Sequence, residues 1–506
     1  MGTADSREKN KRVVRNIASY LLYNFTIVAF GLIIPRLYLL TFGSEANGLV
    51  NTVKMIYGYL SLLEAGVGAA AQQALYKPVA TSQNGRVNAI LAATHRFYLR
   101  AGITYLGISL AFAVIYPLVI HTEINRVAVF LIILFYAVPE VLKFLIQGKY
   151  RIFLEVEGKA YVLNNLITAM MWVSNIIKLL GLLFGSSLIL IEFTYCLPAI
   201  VQLPVTVLYV RRKYPWIDLK VKADVTALKQ KTSVLVHQIS GVMFSITDTV
   251  VISVICGFQQ ASVYTIYMLF FNNIEKLIKA FTDGINFRLG QLFQTDRKKF
   301  TAIYNIYESL YYIMVFTVYT VAAGFLLPII ELYTKGVEDV NYVNPVMIIL
   351  FSITNLLVNI KTPANQVLLY AGCFDKTRHH AVIEMTINIV VSIGATIKFG
   401  IAGALAGSIA ALLYRSNAFI LYTCHKILKT SCLTTYKRCA VNISVAVLII
   451  SLIGTQSCEA TGYVSVCLKA GLNAVWIFLA FFAANAAADW KTVRQLLTFI
   501  RQVVQK

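Results

Sequence analysis

Cationic side chains lie inside segments of this sequence that are otherwise strongly apolar. Arg36 follows Pro35 within a run of leucine and isoleucine, and Lys54 lies further along the same apolar region. A charge at the centre of a lipid bilayer costs about 2.5–3.5 kcal/mol, so such a residue usually faces water or a partner. Arginine binds phosphate through two parallel hydrogen bonds, and lysine binds it as a point charge. These cations therefore predict a binding site for an anion such as a pyrophosphate.

The densest group of charges lies in one predicted helix. Its polar side chains are spaced by four, three and four residues, so they share one helical face. They are Asn272, Lys276, Lys279 and Asp283. Glu275 precedes Lys279 by four residues, so a salt bridge within the helix is the alternative to a role in binding. The pattern leaves both interpretations open for Lys279 and favours binding for Lys276.

Two of the cations lie beside prolines. Lys361 precedes Thr362-Pro363, and Arg36 follows Pro35. Proline removes a backbone hydrogen bond from a helix, and the freed carbonyl is tolerated at membrane depth only against protein or water. We therefore predict a central, hydrated, electropositive chamber. Its candidate substrate-binding residues are Arg36, Lys54, Lys276, Lys279, Lys361 and Arg415.

Carboxylates are available to pair with some of the buried cations. Glu140 precedes Lys143 by three residues, which predicts a structural pair, whereas Lys178 has no obvious partner nearby in the sequence. Asp248 is the most isolated carboxylate, and it is either a packing contact between helices or a site for proton or sodium coupling. Packing is the favoured interpretation of Asp248. Asp283 is the second candidate for ion coupling.

The elements that carry these residues are predicted to be membrane-spanning helices. The chain has 506 residues, of which 58% are hydrophobic and 13% charged, and its mean hydropathy is +0.70. Apolar runs of about 18 or more residues recur along the whole length, which indicates an all-α integral membrane bundle of fourteen helices. The spans are expected at about 17–40, 45–72, 101–120, 126–148, 161–184, 187–210, 232–256, 262–286, 303–331, 345–371, 381–399, 401–424, 440–457 and 468–488.

The positive charges outside the spans predict the orientation. With the N-terminus in the cytoplasm, 33 of the 45 lysines and arginines fall on the cytoplasmic side and four on the opposite side. This bias predicts that both termini are cytoplasmic, and it accounts for most of the net charge of +22. A basic patch for nucleic acid would lie on a soluble surface, so we expect no nucleic-acid partner.

The spacing of the polar segments suggests two lobes and a terminal part. The longest polar interruption, Arg211 to Ser233, follows the sixth span. We predict an N-terminal lobe at 1–215, a C-terminal lobe at 216–430 preceded by a cytoplasmic linker, and a last helix pair with an amphipathic tail at 431–506. A weak repeat supports the two lobes, because Gly43 and Gly257 each separate an apolar helix from a second long helix.

Several kinds of chemistry lack their sequence motifs. There is no G-x-x-x-x-G-K-[ST] loop for ATP hydrolysis, no H-E-x-x-H pair and no C-x-x-C pair. We therefore predict no catalytic residues, no metal and no cofactor. Cys458 and Cys467 both fall near a predicted outer loop, and whether they pair stays open.

Three stretches resemble the polysaccharide repeat-unit flippases of bacteria, the Wzx-like branch of the MOP exporter superfamily. They are LIIPRLYLLTFGSEANGLVNTVKMIYGYLSLLEAGVGAAAQQALYKPVA, TDTVVISVICGFQQASVYTIYMLFFNNIEKLIKAFTDGI and IKTPANQVLLYAGCF with the following GIAGALAGSIAALLYRSNA. The resemblance implies two six-helix lobes in a V around a central cavity, followed by a C-terminal helix pair that in relatives borders a groove for a lipid tail.

The activity that this resemblance implies is transport, not catalysis. A flippase of this kind would move an undecaprenyl-pyrophosphate-linked oligosaccharide, such as an O-antigen repeat unit, across the bacterial cytoplasmic membrane by alternating access. Its expected partners are the lipid-linked glycan, the bilayer, a polysaccharide polymerase and glycosyltransferases. In related lipid II flippases, basic residues on helices one, two and eight engage the pyrophosphate. The residues on the corresponding helices here are Arg36, Lys54, Lys276 and Lys279.

Two other functions fit a polytopic membrane protein. A MATE-type multidrug antiporter should expose unpaired carboxylates, whereas cations in the spans outnumber acids here by a small margin. A polytopic glycosyltransferase acting on lipid-linked sugars should carry acidic catalytic residues in a sizeable outer loop, but the predicted outer loops are short. The flippase is therefore the leading hypothesis.

Overall fold

The computed structural model describes residues 3–60, 67–224, 246–453, 462–490, 492 and 494. Most of predicted span seven, Cys458 and the tail after Arg494 lie outside the described residues. Within the described part all regular secondary structure is helical.

Seventeen α-helices follow one another along the described residues. They are α1 Thr3–Leu60, α2 Val67–Ala80, α3 Asn84–Val119, α4 Arg126–Leu142, α5 Gly148–Val156, α6 Ala160–Leu183, α7 Leu188–Phe193, α8 Leu197–Lys213, α9 Ile246–Ile255, α10 Phe258–Thr295, α11 Arg297–Thr334, α12 Pro345–Ile360, α13 Thr362–Tyr370, α14 Phe374–Phe399, α15 Ile401–Tyr422, α16 Leu433–Ile453 and α17 Tyr463–Ala488. Two short π-helices, Lys143–Gln147 and Thr423–Leu428, follow α4 and α15.

Eleven helical segments among the described residues are long and apolar enough to cross a membrane. The all-α integral membrane architecture predicted from hydropathy is therefore confirmed. Predicted span one and residues 45–60 of predicted span two lie in the single element α1, which is kinked at Gly43, where φ is 77°, and residues 67–72 of span two belong to α2. Gly257, between α9 and α10, also has a positive φ, of 88°. Both glycines singled out by the weak repeat thus occupy a conformation that residues with a β-carbon rarely adopt.

Prolines act differently in the two places where they adjoin a cation. Pro363 lies in the first turn of α13, and Lys361 is the single residue between α12 and α13. Helix α1, in contrast, continues through Pro35 and is interrupted only at Gly43. A proline inside a membrane helix removes one backbone hydrogen bond, which the neighbouring turns can tolerate.

The chain forms two compact units, Met1–Ser262 and Val263–Lys506. In the first unit, buried aromatic residues of α3 pack on the π-helix that follows α4, as shown by Tyr105 and Phe144, whose ring centroids are 5.3 Å apart. In the second unit, α11 buries a succession of tyrosines. They are Tyr304, Tyr307, Tyr311, Tyr312 and Tyr319. The division into 1–215, 216–430 and 431–506 stays a prediction.

The last two helices are held to α11 by buried polar contacts. Arg438 on α16 donates to Glu308 on α11 at 2.6 Å and to Asp489, just after α17, at 2.9 Å. Asn442 and Asn485 exchange amide hydrogen bonds between α16 and α17, at 3.3 and 2.9 Å. A buried salt bridge is costly to break from one side, so these contacts fix where the terminal pair packs.

Candidate anion-binding sites

The first unit contains a fully buried carboxylate, Glu192 on α7, whose exposed fraction is 0%. It accepts a hydrogen bond from Nζ of Lys178 at 3.0 Å and another from the hydroxyl of Tyr136 at 2.6 Å. Lys178 lies on α6 and Tyr136 on α4, so three helices meet at this carboxylate. Glu192 is therefore the partner of Lys178, which the sequence did not identify.

A tight turn between α6 and α7 brings Lys178 and Glu192 together. Gly185 has a φ of 71°, and the side chain of Ser187 accepts from the backbone N–H of Leu190 to cap α7. These features reverse the chain, so residues fourteen apart in sequence become neighbours. No helical spacing rule covers such a separation, which is why the local pattern did not reveal the pair.

Lys54 extends the same cluster from α1. Its side chain is exposed, and its Nζ lies 5.7 Å from the centroid of the ring of Tyr136, the residue whose hydroxyl donates to Glu192. The Tyr38 ring lies 5.4 Å from Nζ of Lys178. Aromatic faces stabilise cations, so both lysines have favourable contacts in addition to the glutamate. Two lysines and one glutamate leave this cluster with one excess positive charge.

The second unit has a comparable cluster around Glu384 on α14, which is 5% exposed. Its Oε1 atom accepts from Nζ of Lys361 at 3.0 Å, and its Oε2 atom accepts from Arg415 at 2.7 Å. Arg415 is 7% exposed, and its guanidinium carbon lies 4.2 Å from the centroid of the Phe419 ring. Two cations again share one carboxylate, so the excess positive charge is again one.

The break and turn around these residues position the cluster. Lys361 occupies the junction of α12 and α13, where Pro363 starts the second helix. Gly400, with φ of 60°, reverses the chain between α14 and α15. A β-carbon at Gly403 would overlap the backbone of Ala395, so these two helices approach closely enough for Glu384 and Arg415 to touch.

The charged residues of α10 make the following contacts. Lys276 is exposed and donates to the side chain of Asn273 at 3.3 Å, and Lys279 is also exposed. Glu275 accepts hydrogen bonds from Asn359 at 2.7 Å and from Tyr319 at 3.1 Å. These contacts reach other helices, which the helical spacing of Glu275 and Lys279 did not indicate.

The remaining predicted site residues are Arg36, Asp248 and Asp283. Arg36 is partly buried on α1. Asp248 on α9 is 3% exposed, and its neighbour Thr247 accepts a hydrogen bond from Tyr59 at 2.8 Å. The side chain of Asp283 lies outside the described residues. The structure thus brings Lys361 together with Arg415, and it adds Lys178, Glu192 and Glu384 to the residues expected from sequence.

Another buried cation, Lys149 on α5, lies outside the spanning segments. Its Nζ is 3.0 Å from Nδ1 of His95 on α3 and 5.1 Å from the centroid of the Tyr150 ring. Burial and then the positive charge of Arg211 lower the pKa of Lys149 from its ordinary 10.5 to about 8. Both effects penalise the charged ammonium group.

Within the described residues no group of three or more His, Cys, Asp or Glu side chains could hold a metal ion. Cys467 is an exposed free thiol, and Cys458 lies outside the described part.

The helix order and the candidate spans describe an all-α polytopic membrane protein with buried charges. No protein-family model matches the sequence. No curated protein matches it by sequence.

Several solved structures are similar to this chain in fold. The lipid II flippase MurJ, in an inward closed conformation, is similar with a TM-score of 0.64 and 12% identity over 93% of this chain and 99% of that one. An inward-facing multidrug resistance MATE family transporter has a TM-score of 0.59 and 13% identity over 88% and 99%. A MOP superfamily transporter from Pyrococcus furiosus, described as having a binding pocket of reverse polarity, has a TM-score of 0.52 and 14% identity over 84% and 97%. Identities this low establish the shared fold alone.

Proposed function

We propose that this protein is a flippase that moves an undecaprenyl-pyrophosphate-linked oligosaccharide from the cytoplasmic to the outer leaflet of a bacterial cytoplasmic membrane. Transport would occur by alternating access, with both termini in the cytoplasm. The proposed substrate contacts are the cations of the two clusters together with those of α1 and α10. They are Arg36, Lys54, Lys178, Lys276, Lys279, Lys361 and Arg415.

The observation that carries this proposal is the charge of the two clusters around buried carboxylates. Lys178 pairs with Glu192, Lys54 lies on the ring of Tyr136 beside it, and Lys361 and Arg415 share Glu384. Each cluster therefore keeps one positive charge more than its carboxylate neutralises. A pyrophosphate carries at least two negative charges and many acceptor oxygens, so it gains more from such clusters than a neutral or cationic ligand would.

The multidrug antiporter fits the same fold but not these charges. A cationic drug needs a carboxylate that is not already neutralised. Glu192 and Glu384 are each held by a cation. Within the described residues, these carboxylates already have donors. The structural likeness to the lipid II flippase MurJ also favours a lipid-linked substrate over a cationic drug.

The test replaces one cation in each unit and leaves the neighbouring ion pair in place. Lys361→Met keeps the contact between Arg415 and Glu384 at 2.7 Å, and Lys54→Met keeps the contact between Lys178 and Glu192 at 3.0 Å. A charge-assisted contact contributes about 1.5–3 kcal/mol, so each variant should lower surface glycan export roughly tenfold or more. Export is measured in a strain that depends on this chain, alongside the amount of protein in the membrane.

Lys398→Met is the matched control. Lys398 lies at the end of α14, the helix of Glu384, but its side chain is exposed and its cation contact is with the Phe399 ring at 5.4 Å. This variant removes the same charge and should export normally. Normal export by Lys361→Met and Lys54→Met together would contradict the proposed function.

A further inference from the structure

A carboxylate of the protein itself occupies the centre of each cation cluster. In the second unit, the two oxygens of Glu384 are divided between Lys361 at 3.0 Å and Arg415 at 2.7 Å. In the first unit, the two oxygens of Glu192 are divided between Lys178 at 3.0 Å and Tyr136 at 2.6 Å. Both carboxylates are buried.

Carboxylate and phosphate oxygens compete for the same donors. A guanidinium or ammonium group presents its N–H bonds to either kind of anion in the same geometry. A substrate phosphate that reaches Lys361 and Arg415 must therefore share or take the hydrogen bonds that Glu384 now accepts. The carboxylate of Glu384 therefore limits the affinity of the cluster for a substrate phosphate.

We propose that Glu384 and, in the other unit, Glu192 are internal anions that the phosphate oxygens of the substrate displace. This inference rests on the proposed function. Before substrate binds, each carboxylate neutralises cations that would otherwise repel one another at low dielectric. After transport, its return to the cations favours release of the substrate. A transporter needs such a limit, because a site that binds too tightly cannot let its cargo leave.

The two cations of the second unit differ in a way that fits displacement. The side chain of Lys361 is 21% exposed, whereas that of Arg415 is 8% exposed and packs on Phe419. Lys361 also lies at the junction of α12 and α13. A phosphate therefore contacts Lys361 first, while Arg415 keeps Glu384 in reach for its return.

The test is the affinity of the purified full-length protein for inorganic pyrophosphate, measured by calorimetry in detergent or nanodiscs. Glu384→Gln removes the competing charge and retains the shape of the side chain. We expect it to bind pyrophosphate about tenfold more tightly than the unmodified chain, the change that corresponds to one lost charge pair. In vesicles, the same variant should move its lipid-linked substrate more slowly, because release becomes limiting.

Two further variants make the outcome specific. Glu331→Gln removes one negative charge from an exposed position at the end of α11 and should leave the affinity unchanged. Glu384→Asp keeps the charge but shortens the side chain by one methylene, so it reaches the two cations less well and should bind with intermediate affinity. If the glutamine variant fails to fold, the aspartate variant decides, since unchanged or weaker binding by it overturns the inference.

The outcomes separate this inference from the proposed function. Loss of pyrophosphate binding in Lys361→Met without tighter binding in Glu384→Gln overturns the internal anion and leaves the flippase in place. No pyrophosphate binding by the unmodified chain, together with export that is insensitive to Lys361, overturns both.

Discussion

At the scale of single residues, Glu192 and Glu384 determine how much positive charge each cluster presents. Each is buried against two polar donors, and each lies beside more cations than it can neutralise. Removing a cation from such a pair leaves an uncompensated buried charge, which is far more costly than losing a surface ion pair. For this reason Lys54, whose removal leaves Glu192 paired with Lys178, is a better probe of function than Lys178, and Lys361 is a usable probe because its removal leaves Glu384 paired with Arg415.

Lys149 is a buried cation whose removal should stabilise the protein. Its pKa is lowered to about 8 by burial and by Arg211, so the folded chain holds this proton less firmly than the unfolded chain, whose lysine has its ordinary pKa of 10.5. The penalty is present in full below about pH 8 and disappears as the pH rises through that range toward 10.5. Lys149→Met should therefore raise the thermal unfolding midpoint at pH 7, and its advantage should shrink by pH 10.

Lys159→Met is the control for Lys149. Lys159 donates to the hydroxyl of Tyr214 at 2.6 Å and to Glu157 at 3.2 Å, so its charge is stabilised by its surroundings. This variant should lower the midpoint at pH 7. Equal shifts in both variants, or an advantage of Lys149→Met that grows with pH, would show that the burial of Lys149 is not the cause.

The sequence predicts cations at membrane depth but not all of their partners. Lys361 and Arg415 could be selected because charged residues in apolar spans are rare and usually functional. The pairing of Lys178 with Glu192 depends on the turn between α6 and α7, and that of Arg415 with Glu384 depends on the packing of α14 on α15. Contacts of this kind come from tertiary structure, which single-helix spacing does not encode.

At the scale of helices, the junctions of the spans place the charged groups. Glycines with positive φ reverse the chain before α7 and before α15, and the break at Lys361 separates α12 from α13. Hydropathy located most spans within several residues, because apolar runs of the required length are unambiguous. It did not locate the extension of α3 back to Asn84, since charged turns carry no hydropathy signal.

Glycine at 407 should be essential for the packing of α14 against α15. A β-carbon there would come within 2.5 Å of the backbone nitrogen of Ser392, whereas one at Gly394, also on α14, would meet nothing within 4 Å. Gly407→Ala should destabilise the protein by about 1–3 kcal/mol through overpacking. Gly394→Ala should cost nothing measurable and even stabilise the helix slightly, since alanine is the better helix former.

Unfolding in a graded series of denaturing detergent measures both glycine variants. Because Glu384 and Arg415 lie on the same two helices, Gly407→Ala should also weaken pyrophosphate binding. Equal stability of the two variants would mean that α14 and α15 do not approach as closely as described.

At the scale of the whole molecule, the fold alone does not distinguish between substrates, and the charge of the buried clusters is the feature that does. The MOP-superfamily fold accommodates a lipid II flippase and multidrug transporters alike. Composition predicted the helical membrane architecture from its mean hydropathy, and the net charge of +22 is explained largely by segments outside the spans. What distinguishes this chain is the small number of cations left inside them.

The most direct test reconstitutes the purified chain in vesicles and compares two cargoes under the same conditions. One is an undecaprenyl-pyrophosphate-linked oligosaccharide, whose arrival in the opposite leaflet is measured by enzymatic modification of the glycan, and the other is a fluorescent cationic drug. The buried clusters predict that the lipid-linked glycan crosses, that Lys361→Met slows it roughly tenfold or more, and that the drug does not cross. Transport of the cationic drug without the lipid-linked glycan would contradict the account.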